Sequence, residues 1–295
     1  MDESELFILW MGFFVAMAGV GLTFTAPMHR IYFRGNPGPG LVRAALILSV
    51  AWVWLVCMVW ADESVQGVYV PFYMALGYAA TKLFGHAGSR WIGFRYRVEV
   101  LERRNVSAAL VIAAFTLATG LIFGGSLWGD ADPVGDDEGG WWIVGAFFLM
   151  GWVFLVAAFR IYLRRERARF RGRTGSLRRS HDLEDGKAAA LFLLAAGVTL
   201  TDAVSGDFWG WRHGILTFGV LAGLLLAHEI FAGIARGGGG GPAGAPRDAS
   251  ASTSGGVAPE QRSGGLRATE GLVYLFLAVA AWGVNRLLDV VLGSG

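Results

Sequence analysis

Seven ionisable side chains interrupt the apolar stretches of this chain, and their chemistry needs explaining first. Arg30, Lys82, Arg160 and Glu229 form one set, each close to the end of an apolar run. Asp202, Arg286 and Asp289 form a second set at the opposite ends of other runs. An ionisable group at the centre of a bilayer costs roughly 2.5 to 3.5 kcal/mol on insertion scales, so each needs a partner or a route for its charge to the interface. Basic members of the first set can snorkel, whereas Glu229 cannot easily, and its natural partner is one of the three cations. In the second set Arg286 and Asp289 share a helix face, and we expect Asp202 to meet Arg286 in the bundle interior. The chemistry open to these groups is a structural ion pair, an ion or lipid-headgroup site, or a conduction path.

Other reactive residues are sparse. Four of the five histidines (His29, His86, His181, His228) fall near the same ends as the first set, an arrangement that fits interfacial residues or a converging relay. His228-Glu229 begins like a zinc-protease helix, but no second His follows at the required spacing. The single cysteine, Cys57, excludes an internal disulfide and a cysteine-based metal cluster. No serine elbow or phosphate loop is present, and the glycine run lacks the lysine that a phosphate cradle needs. We therefore expect no catalytic constellation, no cofactor and no metal site.

The elements that position these charges are helices in a membrane. With 54% apolar and 16% charged residues over 295 positions, the chain is too apolar for an ordinary soluble domain. About 20 apolar residues span a bilayer as a helix. Eight stretches qualify, at about 6–28, 41–61, 67–86, 106–128, 141–163, 187–206, 213–235 and 268–292. The first lacks a basic flank and a small-residue cleavage site, so it reads as a retained span. The expected fold is all-α, a polytopic transmembrane bundle of eight spans in four like-oriented hairpins.

Charge sets the orientation. Of 25 Lys and Arg residues, all but Lys82, Arg212 and Arg286 fall in or beside the loops after spans one, three, five and seven. Cytoplasmic loops retain such residues during insertion, which puts both termini on the periplasmic side of a bacterial inner membrane. The alternate loops are acidic, with Asp62 and Glu63 in one and Asp130, Asp132, Asp136, Asp137 and Glu138 in another. Trp10, Trp60, Trp128, Trp141, Trp142, Trp209 and Trp211 mark outer span ends, as an interfacial belt requires. The net charge of +2 hides this separation and gives no reason to expect nucleic acid as a partner. The basic inner face fits anionic lipid headgroups instead, at about 1 kcal/mol per Lys or Arg near the surface.

Traces of a repeated hairpin run through the sequence. His29-Arg30-Ile31-Tyr32-Phe33-Arg34 aligns with Phe159-Arg160-Ile161-Tyr162-Leu163-Arg164, and Thr81-Lys82-Leu83-Phe84 and His228-Glu229-Ile230-Phe231 fit the same frame loosely. Ascending spans begin with Ala44-Ala45-Leu46, Ala108-Ala109-Leu110 and Ala189-Ala190-Leu191. Sliding span four onto span six superposes Gly125 on Gly206, Trp128 on Trp209 and Gly129 on Gly210. Like orientation implies a pseudo-symmetry axis along the membrane normal, unlike the inverted repeats of many transporters. Gly120 with Gly124, and Gly219 with Gly223, have the spacing that lets helices approach closely. The expected organisation is an N-terminal hairpin at 1–66, a five-span core with the repeat at 67–235, a flexible cytoplasmic linker at 236–266 and a last span at 267–295. Residues 88–104, where Phe94, Tyr96, Val98 and Val100 alternate with Arg95, Arg97 and Glu99, read either as a segment lying at the headgroups or as a solvated loop.

Around Glu102-Arg103-Arg104-Asn105-Val106-Ser107-Ala108-Ala109-Leu110, and again around Glu184-Asp185-Gly186-Lys187-Ala188-Ala189-Ala190-Leu191, the chain resembles the YjfL-like bacterial inner-membrane family. Ala203-Val204-Ser205-Gly206-Asp207-Phe208-Trp209-Gly210-Trp211 extends the likeness to its double-copy members, and the resemblance covers about residues 67 to 292. It implies an inner-membrane protein without established activity, associated with envelope-stress and polyamine-related gene clusters, and carries no catalytic residues. On physical grounds Asn105 suits the N-cap of span four and Asp185 that of span six.

Two function classes follow. One is a non-enzymatic scaffold whose basic inner loops, above all residues 160–187, hold anionic lipid or a cytoplasmic stress or assembly partner. The other conducts an ion or small solute past Asp202 and Arg286, alone or as a homo-oligomer. Few polar groups in spans four, five and seven favour the first.

Overall fold

The computed structural model describes residues 35–62, 69–129, 141–169, 183–205 and 211–237, with 6–7, 10–11, 14, 65, 273–274, 276–284 and 287. The described chain is helical. Helix α1 is Gly38–Val59, α2 is Tyr69–Ala80, α3 is Val106–Gly125, α4 is Trp141–Arg169, α5 is Leu183–Val204 and α6 is Trp211–Gly237. Residues 276–284 are also helical. Among the described residues there is no strand, only an isolated bridge between Ala61 and Gly129.

Four helices are long and apolar enough to cross a membrane: Gly38–Val59, Val106–Gly125, Trp142–Glu166 and Leu183–Val204. Phe218–Phe231 of α6 is a shorter apolar stretch. Helix α2 continues without a break into a π-helical turn at Thr81–His86 and a tight turn at Ala87–Arg90. The expected spans at 6–28 and 268–292 fall largely outside the described residues.

Small residues set the helix spacing, and their contacts give the helix directions. Gly38 lies against Ala109, Gly120 against Ser49, and Gly124 against Trp52, so α1 and α3 run parallel. Gly186 lies against Ser107, Gly197 against Ala118, and Gly125 against Thr201, so α3 and α5 are parallel too. A methyl group on Gly125 would sit 2.6 Å from the Thr201 carbonyl oxygen. Such close approach is the main route to dispersion energy between helices in lipid, where apolar burial gives no preference for protein over hydrocarbon. Helix α2 runs the other way, since Gly77 meets Phe123 and Gly85 meets Thr116. Helix α4 runs with α2 and its continuation: Trp152 Nε1 donates to the Phe84 carbonyl at 3.2 Å, and Arg160, further along α4, to the Trp91 carbonyl. Parallel neighbours cannot be consecutive along the chain, because an antiparallel helix must bring the chain back between them.

Helix α3 is the centre of the molecule, with sixteen of its twenty residues buried. Its buried threonine hydroxyls turn back on their own helix, while the Ser107 hydroxyl, packed against Gly186, makes no hydrogen bond among the described residues. Thr116 donates to the Ile112 carbonyl at 2.7 Å and Thr119 to that of Phe115 at 2.8 Å. Ser49 of α1 does the same to Ala45, and Thr199 and Thr201 of α5 to Ala195 and Gly197. This removes the penalty for burying a hydroxyl without opening a polar route between helices. At one end of the seam the Trp60 and Trp128 rings stack at 4.5 Å, and the Gly129 amide donates to the Trp60 carbonyl.

Two boundaries differ from the sequence reading. Helix α4 continues through Arg169, past the expected span end at about 163, because Arg and Glu are good helix formers and the charge density marks only where the apolar part ends. Helix α5 begins at Leu183, which puts Asp185 inside its first turn and not at the cap. A carboxylate there still faces the positive end of the helix dipole. Residues 88–104 are folded onto the bundle. Ile92, Phe94, Val100 and Leu101 are core residues, and the π-helical turn Arg97–Glu102 sets Glu99 inward, where it pairs with Arg103 at 3.1 Å.

Candidate functional site

The strongest concentration of buried charge joins α4, α6 and the helical turn around Tyr274. The extra length of α4 carries Arg165 and Glu166 to the level of Glu229 on α6, and Phe154 packing edge-on against Phe218 fixes the two helices in that parallel register. Arg165 Nη1 lies 3.5 Å from Glu229 Oε2, and Arg165 Nη2 donates to the Tyr274 hydroxyl at 2.6 Å. Tyr274 in turn donates to Glu229 Oε1 at 3.1 Å. His228 Nδ1 is 3.2 Å from the same oxygen, and Glu166 Oε1 lies 3.9 Å from Arg165 Nη2. The Glu229 side chain is 0% exposed and that of Arg165 5%.

Aromatic rings wall this cluster. The Arg165 guanidinium sits 4.9 Å from the Tyr162 ring centroid, and Tyr162 stacks on Phe192 of α5 at 4.6 Å. Phe192 meets Tyr274 edge-on at 4.9 Å. Cation–ring contact, the ion pair and the bonds to Glu229 Oε1 offset part of the desolvation of the charges, while Glu229 Oε2 has the ion pair but no hydrogen bond. Glu229 is therefore held at both carboxylate oxygens by groups from three helical segments. The arrangement can lock three helical segments together.

The residues singled out from sequence do not converge. The partner of Glu229 is Arg165, and neither Lys82 nor Arg160 fills that role. Arg160 instead donates from Nε and Nη2 to the Trp91 carbonyl at 3.0 and 2.8 Å, tying α4 to the turn after α2. Lys82 is half-buried on the π-helical turn, away from Glu229. Arg30, Arg286 and Asp289 lie outside the described residues, and with them the expected Asp202–Arg286 contact. Asp202 is half-buried near the end of α5, and its carbonyl accepts from the Ser205 hydroxyl at 2.9 Å. Asn105 Oδ1 accepts from the Ala108 amide at 3.1 Å, capping α3. Cys57 is buried in α1.

Arg165, Glu166, Tyr162 and Tyr274 did not stand out in the sequence. The signal that could have found them is the parallel pairing of α4 with α6, which sets a cation opposite Glu229 one and a half turns beyond Arg160. Among the described residues, no group of three or more His, Cys, Asp or Glu side chains could hold a metal ion.

No curated protein and no solved structure matches the chain. Residues 63–204, from before α2 to the end of α5, match the model of an uncharacterised family, the Domain of Unknown Function (DUF350).

Proposed function

We propose that this protein is a non-enzymatic scaffold of a bacterial inner membrane, whose basic inner face holds anionic lipid headgroups or a cytoplasmic partner. The observation that carries the reading is the dry seam at the centre of the molecule. Along α1, α3 and α5 the buried Ser49, Thr116, Thr119, Thr199 and Thr201 hydroxyls bond to their own helices, and glycines close the space between them. A conducting protein needs polar groups facing a shared space, and this seam offers a wall instead.

The layout that goes with this function is eight spans in four hairpins, the tandem repeat of the YjfL-like likeness, and both termini outside. The parallel course of α1, α3 and α5 supports it, because like-oriented hairpins bring every ascending helix into the same direction. The basic inner loops support the same orientation.

Reconstitution tests the function. In liposomes the protein should pass no ion above the empty-vesicle rate, and after purification from membranes it should retain phosphatidylglycerol in preference to phosphatidylcholine. A cation flux abolished by Glu229→Gln or Asp202→Asn would replace this reading with the second one, conduction of an ion or small solute, which the buried Glu229 cluster favours.

A further inference from the structure

The inner end of the α1–α2 pair gathers cations where a membrane headgroup would lie. Helices α1 and α2 cross antiparallel, with Gly77 against Val53. Equal steps from that crossing bring Arg43 level with His86 and Ala87, one turn from Lys82, on which its charge acts. The charge of Lys82 in turn acts on His86, whose ring meets Tyr96 edge-on at 4.3 Å. Arg43 also acts on Tyr96. The Lys82 ammonium has no hydrogen bond or ion pair among the described residues, though its side chain is half-buried and the charge of Arg43 acts on it. On the turn that follows, Glu99 pairs with Arg103 and Glu102 with Arg97. A half-buried ammonium beside a guanidinium is stabilised by an anion between them.

The surface beneath these charges is apolar. Arg43 tops a stripe of exposed residues on one face of α1, running through Ile47, Ala51, Trp54 and Met58. Leu83 is exposed beside Lys82, and Trp91 is exposed on the turn that follows. Cationic groups above an apolar stripe match a phosphodiester above its acyl chains. The π-helical turn Thr81–His86 widens the backbone where Lys82 projects, a departure from α-helix that recurs at binding sites.

We propose that Arg43, Lys82, His86 and Tyr96 form a headgroup site for one anionic phospholipid, whose acyl chains lie along the exposed stripe of α1. This rests on the reading of the basic face given above and narrows it to one place.

The test uses the full chain in nanodiscs of phosphatidylcholine containing a minor fraction of spin-labelled phosphatidylglycerol, with motionally restricted lipid as the signal. Lys82→Met keeps the side-chain length and suits hydrocarbon, so the helix survives; with Arg43→Gln it should lower the affinity for phosphatidylglycerol about fivefold per charge removed, as about 1 kcal/mol each implies. Lys82→Arg should retain it. Arg97→Gln removes the same charge from the same face and should leave the restricted fraction unchanged. An equal loss in Arg97→Gln means diffuse attraction, which overturns the site and leaves the basic-face reading standing. No preference for phosphatidylglycerol in the unaltered protein overturns both. Displacement of the labelled lipid by millimolar inorganic phosphate assigns the cations to free phosphate and overturns the lipid.

Discussion

Along the α3–α5 seam, Gly197 lies against Ala118 and Gly186 against Ser107, and helix backbones come together with almost nothing between them. At the α4–α6 contact the reverse holds: Arg165, Glu229 and Tyr274 fill the space, with Phe192 and Tyr162 as walls. The two seams join helices in the same apolar surroundings by opposite means. The first depends on shape, so any added atom disturbs it and no solvent condition does. The second depends on matched charge, so it withstands small changes of shape and fails when one partner is neutralised. The glycine pairs make the same point. Gly120 and Gly124 are filled by Ser49 and Trp52, whereas Gly219 and Gly223, at identical spacing, meet nothing within 4 Å among the described residues. Spacing alone does not reveal which pair carries a helix contact.

Breaking the charged seam should have the largest effect. Glu229→Leu leaves Arg165 buried without its carboxylate and should destabilise the folded protein by about 3 to 5 kcal/mol, read as loss of monodisperse protein or a lower Tm in detergent. Pairing it with Arg165→Met should recover much of the loss. If the single and double variants melt alike, the contact is not what joins α4 to α6.

The shape-dependent seam is sharpened by a matched pair of substitutions. Gly197→Ala places a methyl 2.7 Å from the Ala118 Cβ and 2.9 Å from its Cα, so the helices must part, at about 1 to 3 kcal/mol. Gly219→Ala meets nothing within 4 Å among the described residues and should cost no stability, gaining up to about 1 kcal/mol from helix propensity. Equal effects at both positions would erase the distinction between filled and open glycines. A smaller effect is expected at the start of α3, where Asn105→Ala removes the cap on Ala108 and should cost about 1 kcal/mol, with Asn105→Asp retaining most of it.

The same contrast explains what the sequence disclosed. Apolar runs and turn residues are local signals, so the beginnings of α1 and α3 sit within a few residues of their expected positions, and Asn105 could be picked out as a cap before any coordinates. The end of α4 could not, because a dense run of arginines looks like a loop by hydropathy and like a helix by propensity, and the second decides it. That extension moves Arg165 opposite Glu229, which is why reasoning from repeat-equivalent positions proposed Arg30, Lys82 and Arg160 instead. Residues 88–104 misled for a related reason: alternation of polar and apolar residues describes a strand-like or surface segment, whereas a π-helical turn there puts Glu99 and Val100 inward together. Tyr274 was invisible as a partner, since a tyrosine in an apolar run carries no sign of what its hydroxyl meets.

The central claim is that α1, α3 and α5 cross the membrane in one direction with their basic ends inside. In a Cys57→Ser background, single cysteines at Asp62 and Ser205 mark the far ends of α1 and α5, and those at Arg95 and Glu184 mark the near ends. A membrane-impermeant maleimide applied to intact cells should label Asp62→Cys and Ser205→Cys, and reach Arg95→Cys and Glu184→Cys only after permeabilisation. Labelling of Asp62→Cys and Ser205→Cys from opposite sides, or of Arg95→Cys from outside, would contradict the account.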